Sequence, residues 1–359
     1  MEETYQIKNL DRVLSPALIF YPERIKRNIQ QMIKVAGSPD RLRPHIKTFK
    51  CKEVVQMQLT AGIHRFKCAS LQEARLLAEI KVKDVLIAYP LSGPAQLDFL
   101  KLQKSFPQTQ FSVLIDHPDQ VQEWKQHPGP AIPVFIDLNV GMYRTGISPA
   151  SAKKLYHTLN EKFDFKGWHA YDGHLHAKNL LARKEEVDAA FREVEKLLNS
   201  FKNHQFEIIC GGSISFPIHA QYPERTLSPG TTLLWDQGYT SSFPDLKFDI
   251  AATVLCRVIS KPQDDLLCLD LGHKAVASEM KEMPVYFQQI PDATVTMLSE
   301  EHLVVRTESA AHFKIGDALY GFPWHICPTV ALHESALIVE DQIIVGEWQI
   351  SARKRKYLL

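Results

Sequence analysis

The sequence predicts a (β/α)8 TIM-type barrel followed by a smaller antiparallel β domain. Two patterns carry that expectation. From about residue 16 to 212, short runs rich in Val, Ile, Leu and Phe alternate with segments whose apolar residues recur at helical spacing. Beyond about residue 240 the helical spacing fades, and strand-like runs follow one another across turns. The length of 359 residues agrees, because a single hydrophobic core stops growing at about 250–300 residues. The expected boundaries are 12–242 for the barrel and 243–359 for the β domain, to which residues 1–11 can be added. Phe243-Pro244-Asp245 is the expected hinge.

In chain order, the expected barrel strands are 17–20, 42–46, 65–69, 84–89, 111–116, 133–139, 167–174 and 206–210. Helical spacing is clearest over 71–80 and 187–198. Ser70 is placed to cap the first of these, with Glu73 three residues on completing a capping box. An open doubly wound sheet also alternates, but nothing resembling GxGxxG follows the first strand. In the second domain the expected strands are 250–260, 266–271, 293–298, 302–306, 318–321, 335–339 and 342–346. No internal repeat or low-complexity tract interrupts either part.

Bulk properties narrow the partners. The formal net charge is +1, which argues against nucleic acid or an anionic membrane surface. The basic tail at 353–356 reads as a solvated terminus. The six cysteines are scattered with no CxxC pair, a usage that fits a reducing compartment. The first five residues lack the basic and apolar regions of a secretory signal, and no apolar run reaches the ~20 residues of a membrane span. The expected location is cytoplasmic.

Chemistry concentrates at strand ends, which in a barrel face the active site. Arg43-Pro44-His45-Ile46-Lys47-Thr48-Phe49-Lys50 passes from a short strand into a helix, with Arg43, Lys47, Lys50 and Lys52 in one turn. Neighbouring positive charge and partial burial both disfavour an ammonium, so a lysine here can serve as a free amine for a Schiff base. The segment 137–146 delivers Arg144 between two glycines as a permanently charged donor. In 168–176, His169 and Tyr171 share a face by strand parity, while His174 and His176 lie in the loop beyond Gly173. Cys210-Gly211-Gly212-Ser213 makes an anion nest suited to phosphate, and Leu227-Ser228-Pro229-Gly230-Thr231-Thr232 is a second small turn. On an extended 321–330 segment, His325 and Cys327 point the same way, as an imidazole and a thiolate for a borderline-soft ion.

Together these residues resemble the D-threonine aldolase / D-serine dehydratase family, the metal-containing branch of the alanine racemase-like pyridoxal phosphate enzymes. The most specific parts are Arg-Pro-His-x-Lys-Thr at 43–48 and Pro-x-His-x-Cys-Pro-Thr at 323–329. The resemblance implies that Lys47 holds the cofactor covalently, with Arg144 beside its phenolic oxygen and Tyr171 at its pyridine nitrogen. Gly212, Ser213, Gly230 and Thr231 would hold its phosphate, and His325 and Cys327 a divalent metal (Zn2+, or Mn2+ or Mg2+). Two positions depart from the common pattern. Phe49 stands where a histidine is common, and Cys327 stands where aldolases often carry aspartate and dehydratases cysteine. The implied activity is a lyase on D-β-hydroxy amino acids. D-threonine aldolase is preferred and D-serine dehydratase is the alternative, with an amino-acid racemase and a non-catalytic cofactor carrier behind them. His174 or His176 would be the general base of the aldolase reaction. A homodimer acting on a small D-amino acid completes the expectation.

Overall fold

The expected first barrel strand, Ala17–Phe20, does not join the barrel. In the computed structural model, which describes residues 5–280 and 283–355, it lies in the other sheet. There it runs antiparallel to Ala252–Ser260 and parallel to Ser335–Glu340. Leu18, Ile19 and Phe20 are all buried. A four-residue apolar run fits either sheet, and periodicity alone cannot choose its partner.

By contacts the chain forms two compact units. Among the described residues, one gathers 5–31, Thr48–Val54 and Thr231–Arg353, and the other comprises Met32–Lys47, Val55–Gly230 and 354–355.

In the second of these, seven parallel strands lie side by side in sequence order. They are Arg65–Cys68, Asp84–Ile87, Gln110–Ile115, Ile132–Leu138, Phe163–Ala170, Glu207–Cys210 and Arg225–Leu227. Residues 42–45 supply the eighth. Leu42 pairs with Leu227 and His45 with Lys67, both in parallel, so this segment bridges the last strand and the first. Arg43 N–H donates to Leu227 O at 2.8 Å, and Lys67 N–H donates to Pro44 O at 2.9 Å. Pro44 brings no donor of its own, which keeps the segment irregular. Arg225–Leu227 was missed because three residues carry no readable period. Most strands here are buried on both faces, hence near-continuous apolar runs such as Val85-Leu86-Ile87 and Ile208-Ile209-Cys210. Leu86, Leu114, Phe135 and Ile209 form one packed cluster. Ser70 caps Leu71–Glu79 by accepting from Glu73 N–H at 3.2 Å, and the Glu73 carboxylate returns to Ala69 N–H at 2.8 Å, one residue earlier than a standard box.

Arg43 does not join a crowd of cations. Its side chain, 2% exposed, donates to both carboxylate oxygens of Asp84 at 2.7 and 2.9 Å and to Glu207 at 3.3 Å. Arg65 and Thr226 also donate to Glu207, at 2.8 and 2.7 Å. Removing one partner of a buried ion pair strands the others' charge. We therefore expect Arg43→Leu to lower stability by about 2–3 kcal/mol, a figure discounted for the partial exposure of both carboxylates and readable as a fall in the urea midpoint.

The other unit contains a nine-stranded sheet. Its main path runs Thr294–Leu298, Leu303–Arg306, Leu266–Leu269, Ala252–Ser260, Ala17–Phe20, Ser335–Glu340, Ile343–Gln349. Ala318–Pro323 also pairs with Ala252–Ser260 and carries Val285–Phe287, a strand too short to be read from the sequence. All pairs are antiparallel except Ala17–Phe20 with Ser335–Glu340. Val254, Val258, Leu269, Val285, Leu303 and Leu319 lie in its main core. All six cysteines are free. Among the described residues no helix is long and apolar enough to cross a membrane. The reading of the N-terminal Met1–Thr4, and of Lys356 in the basic tail, lies outside the described residues.

Candidate active site

Lys47 sits in a single 3-10 turn, Ile46–Thr48, immediately after the closing segment of the barrel. His45 positions it: its Nδ1 accepts the Lys47 N–H at 3.1 Å, and its own N–H donates to Pro229 O at 2.8 Å. The Lys47 amine lies 5.8 Å from the Tyr171 ring centre, and the Arg144 guanidinium lies 5.1 Å from the same ring. Three of the residues expected at the cofactor therefore meet around one aromatic ring. Arg144 and Tyr171 line one recess together with Asp137, Asn139 and His169.

The loop carrying Arg144 is fixed by its own polar groups. Asn139 Oδ1 accepts from Gly141 and Tyr143 N–H at 2.9 and 3.2 Å. Gly146 has φ +97°, and a Cβ there would come 2.6 Å from the Asn139 backbone nitrogen, so only glycine closes this turn. His174 packs against Gly141, whose added Cβ would come 2.8 Å from the histidine Nε2. The His174 Nδ1 is buried without a hydrogen-bond partner, whereas His176 is exposed.

Behind Tyr171 lies a polar chain that the sequence did not disclose. Asp137 and His169 are register partners on adjacent strands, which puts their side chains on one face. A carboxylate can only accept, so His169 Nδ1 carries the proton donated to Asp137 Oδ1 at 2.6 Å. The other oxygen of Asp137 accepts from Thr145 at 2.8 Å. His169 Nε2 is left as acceptor for the Lys67 amine, 3.3 Å away. Lys67 is 3% exposed, and its amine lies 5.6 Å from the Tyr171 ring centre. Burial, and then the charge of Lys47, bring its pKa down to about 7. The lysine expected to be disfavoured as ammonium thus has a clear instance one strand away. The available signal was a lysine inside the buried strand Arg65-Phe66-Lys67-Cys68.

The two small turns also meet. Gly230 N–H donates to Ser213 Oγ at 3.2 Å, and Gly212 N–H donates to Ser215 Oγ at 2.9 Å. Ser215 passes its own proton to Asp172 at 2.7 Å, and His219 Nε2 donates to the second Asp172 oxygen at 2.8 Å. Arg225 donates to His219 Nδ1 at 2.8 Å, which requires a neutral imidazole. A Cβ at Gly212 would come 3.0 Å from the Tyr171 ring, and one at Gly230 would come 3.1 Å from His45 O. The glycines thus keep backbone close to the residues around Lys47, a cradle compatible with a phosphate.

Thr231, His325 and Cys327 belong to the other compact unit. Their segment is not extended, as the sequence suggested. His325 ends the extended stretch and precedes the helix Ile326–Leu332, so Cys327 stands in its first turn. Pro328 at an early helical position is compatible with this, because the first turn needs no proline N–H. The Cys327 sulfur lies 3.1 Å from the Thr48 hydroxyl and 3.4 Å from that of Thr231. Thr48 follows Lys47 in the chain. Burial opposes ionisation of Cys327, but His325 and the two hydroxyls outweigh it and hold the thiol below its ordinary range. His325 Nδ1 bonds to Glu279 at 2.5 Å, which leaves Nε2 to act as a ligand atom. Asp236, buried, accepts from Ile326 N–H at 3.2 Å and Tyr239 N–H at 2.8 Å, pinning the backbone between His325 and Cys327. Burial raises its pKa to about 6. Among the described residues no cluster of three or more His, Cys, Asp or Glu side chains is arranged for a metal. A two-residue imidazole–thiolate set leaves coordination positions open, as a catalytic ion requires.

The family model described as the alanine racemase N-terminal domain matches residues 22–234. The chain belongs to this family. A second model, described as a putative serine dehydratase domain, matches residues 251–339. The D-threonine aldolase of Arthrobacter sp is 29% identical over 362 residues, covering 96% of this chain and 94% of the relative. The crystal structure of D-threonine aldolase from Filomicrobium marinum has a TM-score of 0.87 at 23% identity, covering 98% of each chain. The D-threo-3-hydroxyaspartate dehydratase from Delftia sp. HT23 gives 0.80 at 20% identity, covering 96% of this chain and 99% of that one. The alanine racemase-like aldolases and dehydratases of this family depend on pyridoxal phosphate.

Proposed function

We propose that the protein is a lyase on D-β-hydroxy amino acids, of the D-threonine aldolase type, that uses pyridoxal phosphate and a divalent metal. The observation that carries this reading is the Cys327 thiol, flanked by two threonine hydroxyls and His325, in a chain of the racemase family. Racemases of this fold need no metal, whereas an imidazole and a thiolate at this spacing would suit one. When bound, the cofactor supplies an electron sink for the bond broken at Cα and the metal a Lewis acid for the β-hydroxyl.

The protein's residues have separable tasks. Lys47 Nζ attaches the cofactor, and its turn is held by His45. Arg144 and Tyr171 serve the phenolic oxygen and the ring nitrogen. A tyrosine hydroxyl, unlike a carboxylate, leaves that nitrogen unprotonated, which makes the ring a weaker sink and the metal correspondingly important. Gly212, Ser213, Gly230 and Thr231 hold the phosphate. His325 Nε2 and Cys327 Sγ hold the metal, with Glu279 fixing the imidazole from behind. His174, half-buried with an unpartnered Nδ1, takes the β-hydroxyl proton in the aldolase reaction. A homodimer in the cytoplasm completes the reading, and the six free cysteines agree with a reducing compartment.

The dehydratase reading keeps the same residues and assigns the α proton to Lys47. It is favoured by Cys327 and by the match of the second domain to a serine dehydratase model. Products decide between them. With pyridoxal phosphate and Zn2+ or Mn2+, an aldolase releases glycine and acetaldehyde from D-threonine, while a dehydratase releases pyruvate and ammonia from D-serine. Formation of neither would sink both readings.

A further inference from the structure

We propose that Lys67 is a second cofactor-binding lysine: its amine, supported from behind by His169 and Asp137, donates a hydrogen bond to the pyridoxal phosphate held at Lys47. The inference rests on the pyridoxal phosphate reading of this site. Lys67 lies in the middle of a buried strand, a place where a lysine is almost never found without partners. Its amine makes one hydrogen bond among the described residues, to His169 Nε2, although an ammonium carries three donors. His169 is itself oriented by Asp137, and Asp137 by Thr145, so the acceptor side of the chain is complete. What remains incomplete is the donor end, where the amine lies over Tyr171. The Lys47 amine lies over the same ring. An acceptor-rich ligand attached at Lys47 supplies the missing partner.

This arrangement also makes the contact depend on pH. Burial and the charge of Lys47 disfavour the ammonium, while Asp137, Cys210 and Asp172 favour it. His169, lowered in pKa chiefly by burial, stays neutral and accepts. Arg144 and Tyr171 also face the pair. A lysine with its pKa near about 7 is a charged donor below that pH and progressively loses its proton above it. Attachment of a ligand at Lys47 would remove that neighbouring ammonium, and its anionic groups would favour the Lys67 ammonium, so both move the transition upward but keep its sign: the Lys67 contribution to affinity falls as pH rises.

The test uses the full chain loaded with pyridoxal phosphate and reads affinity and absorbance rather than turnover. Lys67→Met is expected to weaken cofactor binding about tenfold to a hundredfold at pH 6.5, the size of one hydrogen bond to a charged group. Lys67→Arg, which keeps its charge throughout, is expected to restore affinity and to abolish the part of the pH dependence between about pH 6 and 9 that the wild type adds. His169→Gln, which keeps the fold's shape with a neutral group, is expected to move the midpoint of that transition. Unchanged affinity and an unchanged pH profile in Lys67→Met would overturn the proposal while leaving pyridoxal phosphate at Lys47 intact. Failure of the wild type itself to form a borohydride-reducible complex would overturn the cofactor reading and this inference with it.

Discussion

Lys47→Ala is expected to eliminate the cofactor absorbance near about 420 nm that borohydride quenches, and to lower turnover roughly 10^4-fold or more. The Lys47 amine is the covalent anchor in this reading, and no rearrangement of Arg144 or Tyr171 can replace it. The neighbouring Lys67 is close enough to the same aromatic ring to complicate the result. A weak residual band in Lys47→Ala is therefore to be compared with Lys47→Ala/Lys67→Met. Disappearance in the double variant assigns the residue of signal to Lys67. A full-strength band in the double variant would place the cofactor elsewhere.

The second large effect concerns the metal. His325→Ala and Cys327→Ala are each expected to reduce bound divalent metal from about one per chain to near zero and to cost turnover roughly 10^3-fold. The cofactor band should survive in both. Cys327→Asp keeps an anionic ligand but replaces a soft sulfur with a hard oxygen, so its activity is expected to move from Zn2+ toward Mn2+ or Mg2+. Glu279→Gln removes the carboxylate behind the imidazole and is expected to weaken metal affinity about tenfold to a hundredfold. Elemental analysis after dialysis against a weak chelator reads all four variants. Full metal retention in Cys327→Ala would remove the thiol from the ligand set.

Much of this molecule was legible because strand ends and catalytic residues coincide in a barrel. His45 to Lys47, Asp137 to Arg144 and Gly212-Ser213 could be placed at strand ends from alternation alone, and the structure has them there. Arg43, read as part of the same cluster, instead pairs with Asp84 and Glu207, the first residues of their strands. Much of what could not be read lies in short strands. Ala17–Phe20 is equally suited to either sheet, and its pairing with Leu337 and Ile338 was set by residues more than 300 positions away. Arg225–Leu227 is too short to show a period. Lys67 was hidden because a charged residue inside an apolar run reads as an interruption, not as a contact, until His169 is brought 3.3 Å away by the sheet. Asp236 and Glu279 were silent because they meet the backbone and ring of the His325–Cys327 segment rather than forming a motif of their own. Cys327 was expected on an extended segment and stands instead in the first turn of a helix, because the residues just before a proline can end a strand or begin a helix.

The most direct measurement follows acetaldehyde release from D-threonine by the loaded protein in three states: as purified, after chelation, and after adding Zn2+ or Mn2+ back. The account predicts that chelation stops release while the cofactor band remains, and that either ion restores it. Undiminished release by the chelated protein, or no release from D-threonine in any state while a D-amino acid without a β-hydroxyl is racemised, would contradict it.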